Sequence, residues 1–221
     1  MTTIPWATRE KHDRAGSAQH AALLAAAREA FEDNGYATTT VADITHRAGV
    51  SRATFYVYFA SKHDVFAHLA HGLREELRAS QSLTPDQAGD VRRAAVEATV
   101  AYLDAYTRNV RLLTVLQHQA LTDPVQRALL DDIEDHTLRT TTRFIERAVA
   151  EHGLVPAAPP RDVARAAGGM VAAYAAVLHV HPDRHADVAR HVGAMFVRLL
   201  GIPEAAGRPA AAGRGDTSPA A

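Results

Sequence analysis

Residues 38–66 read TTTVADITHRAGVSRATFYVYFASKHDVF. Thr40 stands three residues before Asp43, a capping box with Asp in the place of Glu, and predicts a short helix from Val41 to Ala48. Gly49 breaks that helix and supplies the residue that can take a positive φ at a tight turn. Ser51 opens a second short helix through Tyr58, and Ser61-Lys62-His63-Asp64 is another box, starting a longer helix over 61–80. Ile44, Ala48, Val50 and Phe55 fall where the two short helices would pack on each other. Two short helices joined by a glycine-containing turn make a helix-turn-helix, whose second helix lies in the DNA major groove with its N-terminal residues toward base edges.

The competing account is a plain helical hairpin inside a bundle. Against it stands the face of the second helix, which carries Arg52, Ala53, Thr54, Tyr56 and Tyr58. Groove recognition uses these side chains: Thr54 can meet a thymine methyl or a base edge, and Arg52 can pair with guanine. Tyr56, Tyr58, Thr40 and Lys62 can donate to phosphates, helped by the positive ends of their helices. The charge pattern agrees. Residues 1–80 hold nine basic and nine acidic side chains, yet 40–62 hold Arg47, Arg52 and Lys62 against Asp43 alone. Lys62 is one of two lysines in the chain.

Around this stretch the sequence is alanine-rich, with 46 alanines in 221 residues, and 47% hydrophobic, which favours helix. Ser17 can cap a helix to about Asn34, with Leu24, Ala27 and Phe31 on one face and Gly35 closing it. Leu83 to Gly89, with Pro85, is a linker. Further helices are expected over about 90–108, 110–121, 124–152, 161–180 and 184–200, with Asp123-Pro124 a strong start signal and Gly153, Pro182 and Gly201 as stops. No period-2 apolar alternation argues for a strand. The expected fold is all-α, about nine helices: a disordered arm over 1–16, a DNA-binding unit over 17–66 joined by helix 61–80, a helical bundle over 85–202 and a disordered tail over 203–221.

Several function classes fall on composition. There is no cysteine, so disulfides, zinc fingers, thiol catalysis and iron–sulfur clusters are excluded. No run approaches about 18 uninterrupted apolar residues, and Met1 to Gly16 lacks the apolar segment of a signal peptide, so a cytoplasmic setting is expected. A net charge of −1 confines nucleic-acid binding to a local site. Thirteen histidines invite a metal, but His179, His181, His185 and His191, with Asp183 and Asp187, fit no zinc spacing and read as a polar loop. The Arg214-Gly215-Asp216 triplet reads as chance. Asp131, Asp132, Glu134 and Asp135 read as a solvated helix face. With no phosphate loop or nucleophile elbow, neither an enzyme nor a cofactor is expected.

The segment resembles the N-terminal DNA-binding domain of the TetR family of bacterial transcription regulators. The residues that carry the resemblance are Gly35-Tyr36, Thr40-Val41-Ala42-Asp43-Ile44, Ala48-Gly49-Val50-Ser51, Thr54-Phe55-Tyr56-Val57-Tyr58-Phe59 and Ser61-Lys62. It covers roughly residues 17–66; the rest matches in helix number and length. The resemblance implies that Thr40 touches phosphate, that Arg52, Ala53, Thr54, Tyr56 and Tyr58 form the recognition surface, and that Lys62 anchors the DNA backbone. Ala53 and Val57 offer little polar readout, so specificity leans on Arg52, Tyr56 and Tyr58. The acidic content of 1–35 argues against a minor-groove arm, although Arg9, Lys11 and Arg14 leave one open.

The resemblance also implies that the helices over 85–202 surround a pocket for a small hydrophobic effector. Helix 90–108 carries two apolar stripes, Val96, Val100 and Leu103 with Val110, and Ala95 with Tyr102 and Tyr106, as a helix between a core and a cavity would. Tyr102, Tyr106, His118, His136, Phe144, Met170 and Tyr174 are the lining candidates; the alternative for each is ordinary core. The last two helices, about 161–200, are rich in Ala and Gly and suit close approach in a homodimer, which a helix-turn-helix needs to read two half-sites. The sequence-based reading is a cytoplasmic, dimeric, ligand-responsive repressor of a palindromic DNA operator. The alternatives are a co-repressor-dependent regulator or an activator, and more distantly a helical carrier or enzyme without DNA binding.

Overall fold

The computed structural model describes residues 18–81 and 90–203, and among them every regular element is a helix. In chain order these are α1 (Ala18–Asn34), α2 (Val41–Ala48), α3 (Arg52–Tyr58), α4 (Lys62–Ser80), α5 (Val91–Ala120), α6 (Pro124–His152), α7 (Pro160–Val180) and α8 (His185–Leu199). A 3-10 turn, Pro182–Arg184, precedes α8. The capping role expected of Ser17, the linker over 83–89 and nearly all of both chain ends fall outside the described residues.

Among the described residues the count is eight helices where the sequence predicted about nine. The difference is α5, which runs unbroken for 30 residues through the expected break near residue 109. No glycine or proline interrupts it there. Asn109, at the expected break, is fully buried, and its Nδ2 donates to the Ala105 carbonyl at 2.8 Å and to Glu76 Oε2 at 2.9 Å. These two bonds from Nδ2 hold Asn109 inside the helix.

Helix ends elsewhere follow local chemistry. The Thr40 side chain accepts from Asp43 N while the Asp43 side chain accepts from Thr40 N. Ser51, Ser61, Asp90 and Asp123 each accept from a backbone N–H in the first turn of the helix they open, and Pro124 follows Asp123 at the first helical position.

Phe31, Phe55, Phe59 and Phe66 are at most 1% exposed and bring α1, α3 and α4 together, each contributing about 1.5–3 kcal/mol by burial. This core does not stop at the helix-turn-helix. It continues through Ala70, Leu73 and Leu77 of α4 into Leu112, Leu116 and Ile133 of α5 and α6. A second cluster, with Ala95, Ile145, Val163, Phe196 and Leu200, and a third, with Leu103, Val171, Leu178 and Val192, knit α5 to α7 and α8. By length and composition α7 could cross a membrane; here it packs against α5, α6 and α8, with Arg161, Asp162 and Arg165 near its start.

Candidate nucleic-acid interface and effector cavity

The turn between α2 and α3 is built on Gly49, whose φ of +66° few side chains adopt. Its N–H donates to the His46 carbonyl at 3.2 Å, and Val50 N to the Thr45 carbonyl at 3.1 Å. Ile44 and Phe55, both fully buried, pin α2 and α3 to the core. What α3 leaves outside is Arg52, Ala53, Tyr56 and Val57, with Tyr56 58% exposed and Val57 54%. Thr54 and Tyr58 are half-buried. Thr54 N and Oγ1 lie 3.0 and 2.9 Å from Ser51 Oγ, and the Tyr58 hydroxyl donates to Gln19 Oε1 of α1 at 3.1 Å.

The structure revises the charge pattern around this face. Arg47 turns inward, donating to Asp33 Oδ2 at 2.8 Å with Glu29 at 3.6 Å, so it adds little to the outer potential. Lys62 Nζ donates to the Tyr36 carbonyl at 2.7 Å and the Ala37 carbonyl at 3.3 Å, and it lies 4.4 Å from the centre of the Tyr36 ring. Burial pushes the Lys62 ammonium below its ordinary pKa. Thr40 is exposed, and its hydroxyl also donates to Asp43 Oδ2 at 2.7 Å; hydrogen bonds from Thr40 hold the Asp43 carboxyl below the usual carboxylate range. Arg52 is therefore the exposed, unpaired cation on α3 itself among the described residues.

Between α5, α6, α7 and α8 lies a cavity of about 70 Å³, lined by Ala98, Thr99, Tyr102, Thr137, Phe144, Ala167, Val171 and Phe196, together with Gln81 at the end of α4. A wider chamber of about 440 Å³ adjoins it, sharing Tyr102, Thr137 and Gly168 and adding Tyr106, Glu134, Arg161 and Arg165. Of the sequence candidates, Tyr102, Tyr106 and Phe144 line these spaces. Met170 and Tyr174 instead pack on the α7–α8 cores, and His118 is exposed in the last turn of α5. His136 is half-buried beside Thr140, and burial, with Arg78 and Arg139 nearby, holds its imidazole below the ordinary pKa.

Burial pushes the Tyr102 phenol up to about 12, and burial likewise raises Tyr106, with Glu134 adding to both. Gln81, Thr99, Thr137 and Phe196 were not among the candidates. Thr137 follows the buried Ile133 by one helical turn, a spacing that places both on one face of α6. Gln81, next to the linker, carries no sequence signal. As for a metal, His185 Nε2 lies 2.6 Å from Asp104 Oδ1, and no group of three metal-ligating side chains converges among the described residues.

Comparison with known proteins points the same way. The family model described as bacterial regulatory proteins, tetR family, matches residues 23–69. The uncharacterized HTH-type transcriptional regulator YfiR of Bacillus subtilis is 26% identical over 171 residues, covering 73% of this chain and 78% of its own length. The HTH-type transcriptional activator FasR of Mycolicibacterium smegmatis is 33% identical over 110 residues, a match that spans about half of each protein, 46% and 47%. Among solved structures, a bacterial regulatory protein in the tetR family from Rhodococcus RHA1 superposes with a TM-score of 0.68 at 21% identity, covering 85% of this chain and all of that one.

Proposed function

Because the chain belongs to the TetR family of bacterial transcription regulators, we propose that it is a dimeric, ligand-responsive repressor that leaves a palindromic operator when a small effector fills the cavity. The observation that carries the DNA-binding part is the capped helix-turn-helix with Arg52 and Tyr56 on its open face, inside the segment that the family model matches. Arg52, Ala53, Thr54 and Tyr56 would read base edges. Thr40, Tyr58 and the third N–H of Lys62 would meet phosphates. Ala166, Gly169, Ala173 and Ala176 form an exposed small-residue stripe along α7, and His191 and Ala194 are exposed on α8. A second copy packed on this face would set two recognition helices about one DNA turn apart, roughly 34–36 Å.

Effector release is supported by the path of α4, which starts at Lys62 beside the recognition helix and is followed at its far end by Gln81 on the cavity wall. A molecule that moves this wall moves α4. A cytoplasmic setting goes with this proposed role. FasR, named an activator, favours a second reading in which ligand strengthens DNA binding, although that match covers only about half of each chain.

The test is selection of bound duplexes from a random pool at about 0.15 M salt, with purified protein and no added ligand. A recovered palindrome is the expected result. No enrichment from folded, dimeric protein would discard the ligand-free repressor.

A further inference from the structure

Gln81 caps the C-terminal end of α4, its N–H reaching the Arg78 carbonyl at 3.2 Å, and its side chain crosses to α6, where Nε2 donates to Thr137 Oγ1 at 2.8 Å. Thr137 donates to the Ile133 carbonyl at 3.1 Å and accepts from Gln81. Gln81 Oε1 lies on the other side of the amide, buried with no hydrogen-bond partner among the described residues. A buried acceptor left in this state is costly, and a partner brought by a ligand relieves it.

Tyr102 Oη lies 3.4 Å from Thr137 Oγ1. Thr99 gives its proton to the Ala95 carbonyl at 2.7 Å. On this wall the hydroxyl protons of Thr99 and Thr137 go to helix carbonyls, Thr140 and Thr141 add two further hydroxyls, and Gln81 Oε1 is left without a donor. Around them stand the apolar side chains of Phe144, Val171 and Phe196.

We propose that the effector is an apolar molecule bearing a neutral O–H or N–H donor, and that Gln81 Oε1 accepts that donor at the end of α4. The inference rests on reading the cavity as the effector site. A carboxylate or an ether would bring no proton to Gln81 Oε1 and would leave it unsatisfied. The inner cavity, about 70 Å³, is smaller than the roughly 150 Å³ that holds benzene, so the donor-bearing end enters it and the remainder extends into the 440 Å³ chamber past Tyr102 and Gly168. Because the accepting atom belongs to the residue that caps α4, the ligand's hydrogen bond acts directly on the helix that leads to the DNA-binding unit.

The experiment uses two matched probe pairs on the full chain: indole with 1-methylindole, and 4-propylbenzyl alcohol with its methyl ether. Binding is followed by calorimetry, and displacement from the selected operator by fluorescence anisotropy. The donor members are expected to bind about tenfold more tightly than their capped partners. In Gln81→Met, which keeps the length of the side chain and removes the acceptor, the preference should vanish through weaker binding of the donors. The wild-type preference is itself a test that needs no variant to fold. Equal binding within each pair, with DNA release intact, would overturn the acceptor role and leave the cavity as effector site. Absence of binding by all four would overturn both.

Discussion

Arg111 of α5 donates from Nη2 to Asp33 Oδ1 at 2.8 Å, while Asp33 Oδ2 receives Arg47 of α2 at the same distance. One carboxylate of α1 therefore ties the helix-turn-helix to the long helix of the regulatory half. These guanidinium bonds, Arg111 first and then Arg47, hold the Asp33 carboxyl below its ordinary 3.8. A depressed carboxylate contributes stability above its unfolded value and loses it as pH falls through the folded one, so this junction loosens only in acid. Carbon-detected titration of Asp33 should show its midpoint rising part of the way in Arg111→Gln and reaching the ordinary range when Arg47→Gln is added. An unmoved midpoint would mean that the α1–α5 bridge does not form in solution.

Lys62 holds the turn before α2 through the Tyr36 carbonyl and ring, with one N–H left over for a phosphate. Lys62→Ala should accordingly have two effects. A charge-assisted hydrogen bond to a carbonyl is worth about 1.5–3 kcal/mol, which for a protein of this size lowers Tm by about 3–12 °C. The slope of log affinity for the operator against log salt should also fall by about one unit. A lower Tm with an unchanged slope would restrict Lys62 to the turn.

Arg52 is exposed on α3 with no ion pair among the described residues, so truncation would remove the proposed base contact and little else. Arg52→Ala should reduce discrimination by about 1–3 kcal/mol at one or two base pairs of the operator and leave the other positions as they were. Uniform weakening across all operator variants would reassign Arg52 to the phosphate backbone.

Tyr102 reports on the dryness of the cavity. Its phenol is pushed from 10 up to about 12 by burial, so the folded state holds the proton more tightly than the unfolded chain does. The associated stability is fully present below pH 10 and is lost as pH rises toward 12, about 2–3 kcal/mol in all. Urea unfolding between pH 9 and 11.5 should fall more steeply for the wild type than for Tyr102→Phe, by about 1–2 kcal/mol at the upper end. Parallel curves would mean that water reaches the phenol.

These cases divide what is legible in the sequence from what is not. The starts of α2, α3, α4 and α6 are set by Thr40, Ser51, Ser61 and Asp123-Pro124, each acting on backbone within three residues, and local chemistry of that kind can be read directly. The continuity of α5 is not local: Asn109 stays in the helix because Glu76, 33 residues earlier, meets its amide. Arg47 and Lys62 count as free charges along the chain, but the fold spends them on Asp33 and Tyr36. At the cavity, the second stripe of helix 90–108 found Tyr102 and Tyr106, whereas Gln81 lies beside a linker and meets the wall only because α4 ends there. His118 looked like a lining residue for want of any sign of which way the end of α5 faces; it faces out.

Two glycines make a paired prediction about strain. Gly49 and Gly201 have nearly the same left-handed backbone, φ +66° and +71°. At Gly49 an added Cβ would meet nothing within 4 Å, so Gly49→Ala bears only the conformational cost of about 1–2 kcal/mol. At Gly201 the same atom would lie 2.1 Å from the Val155 carbonyl oxygen, which is backbone and cannot turn aside as a side chain would. The chain there is also anchored, with Leu200 and Ile202 buried and Ala157 N donating to the Leu199 carbonyl at 2.9 Å. Gly201→Ala should therefore destabilise at least twice as much as Gly49→Ala in chemical unfolding. Operator affinity should divide the other way, because Gly49 shapes the turn that presents α3 while Gly201 lies at the far end of the bundle. Equal losses of stability in the two variants would show that the end of α8 yields to the clash, and that the contact of residue 201 with Val155 does not hold the end of the chain in place.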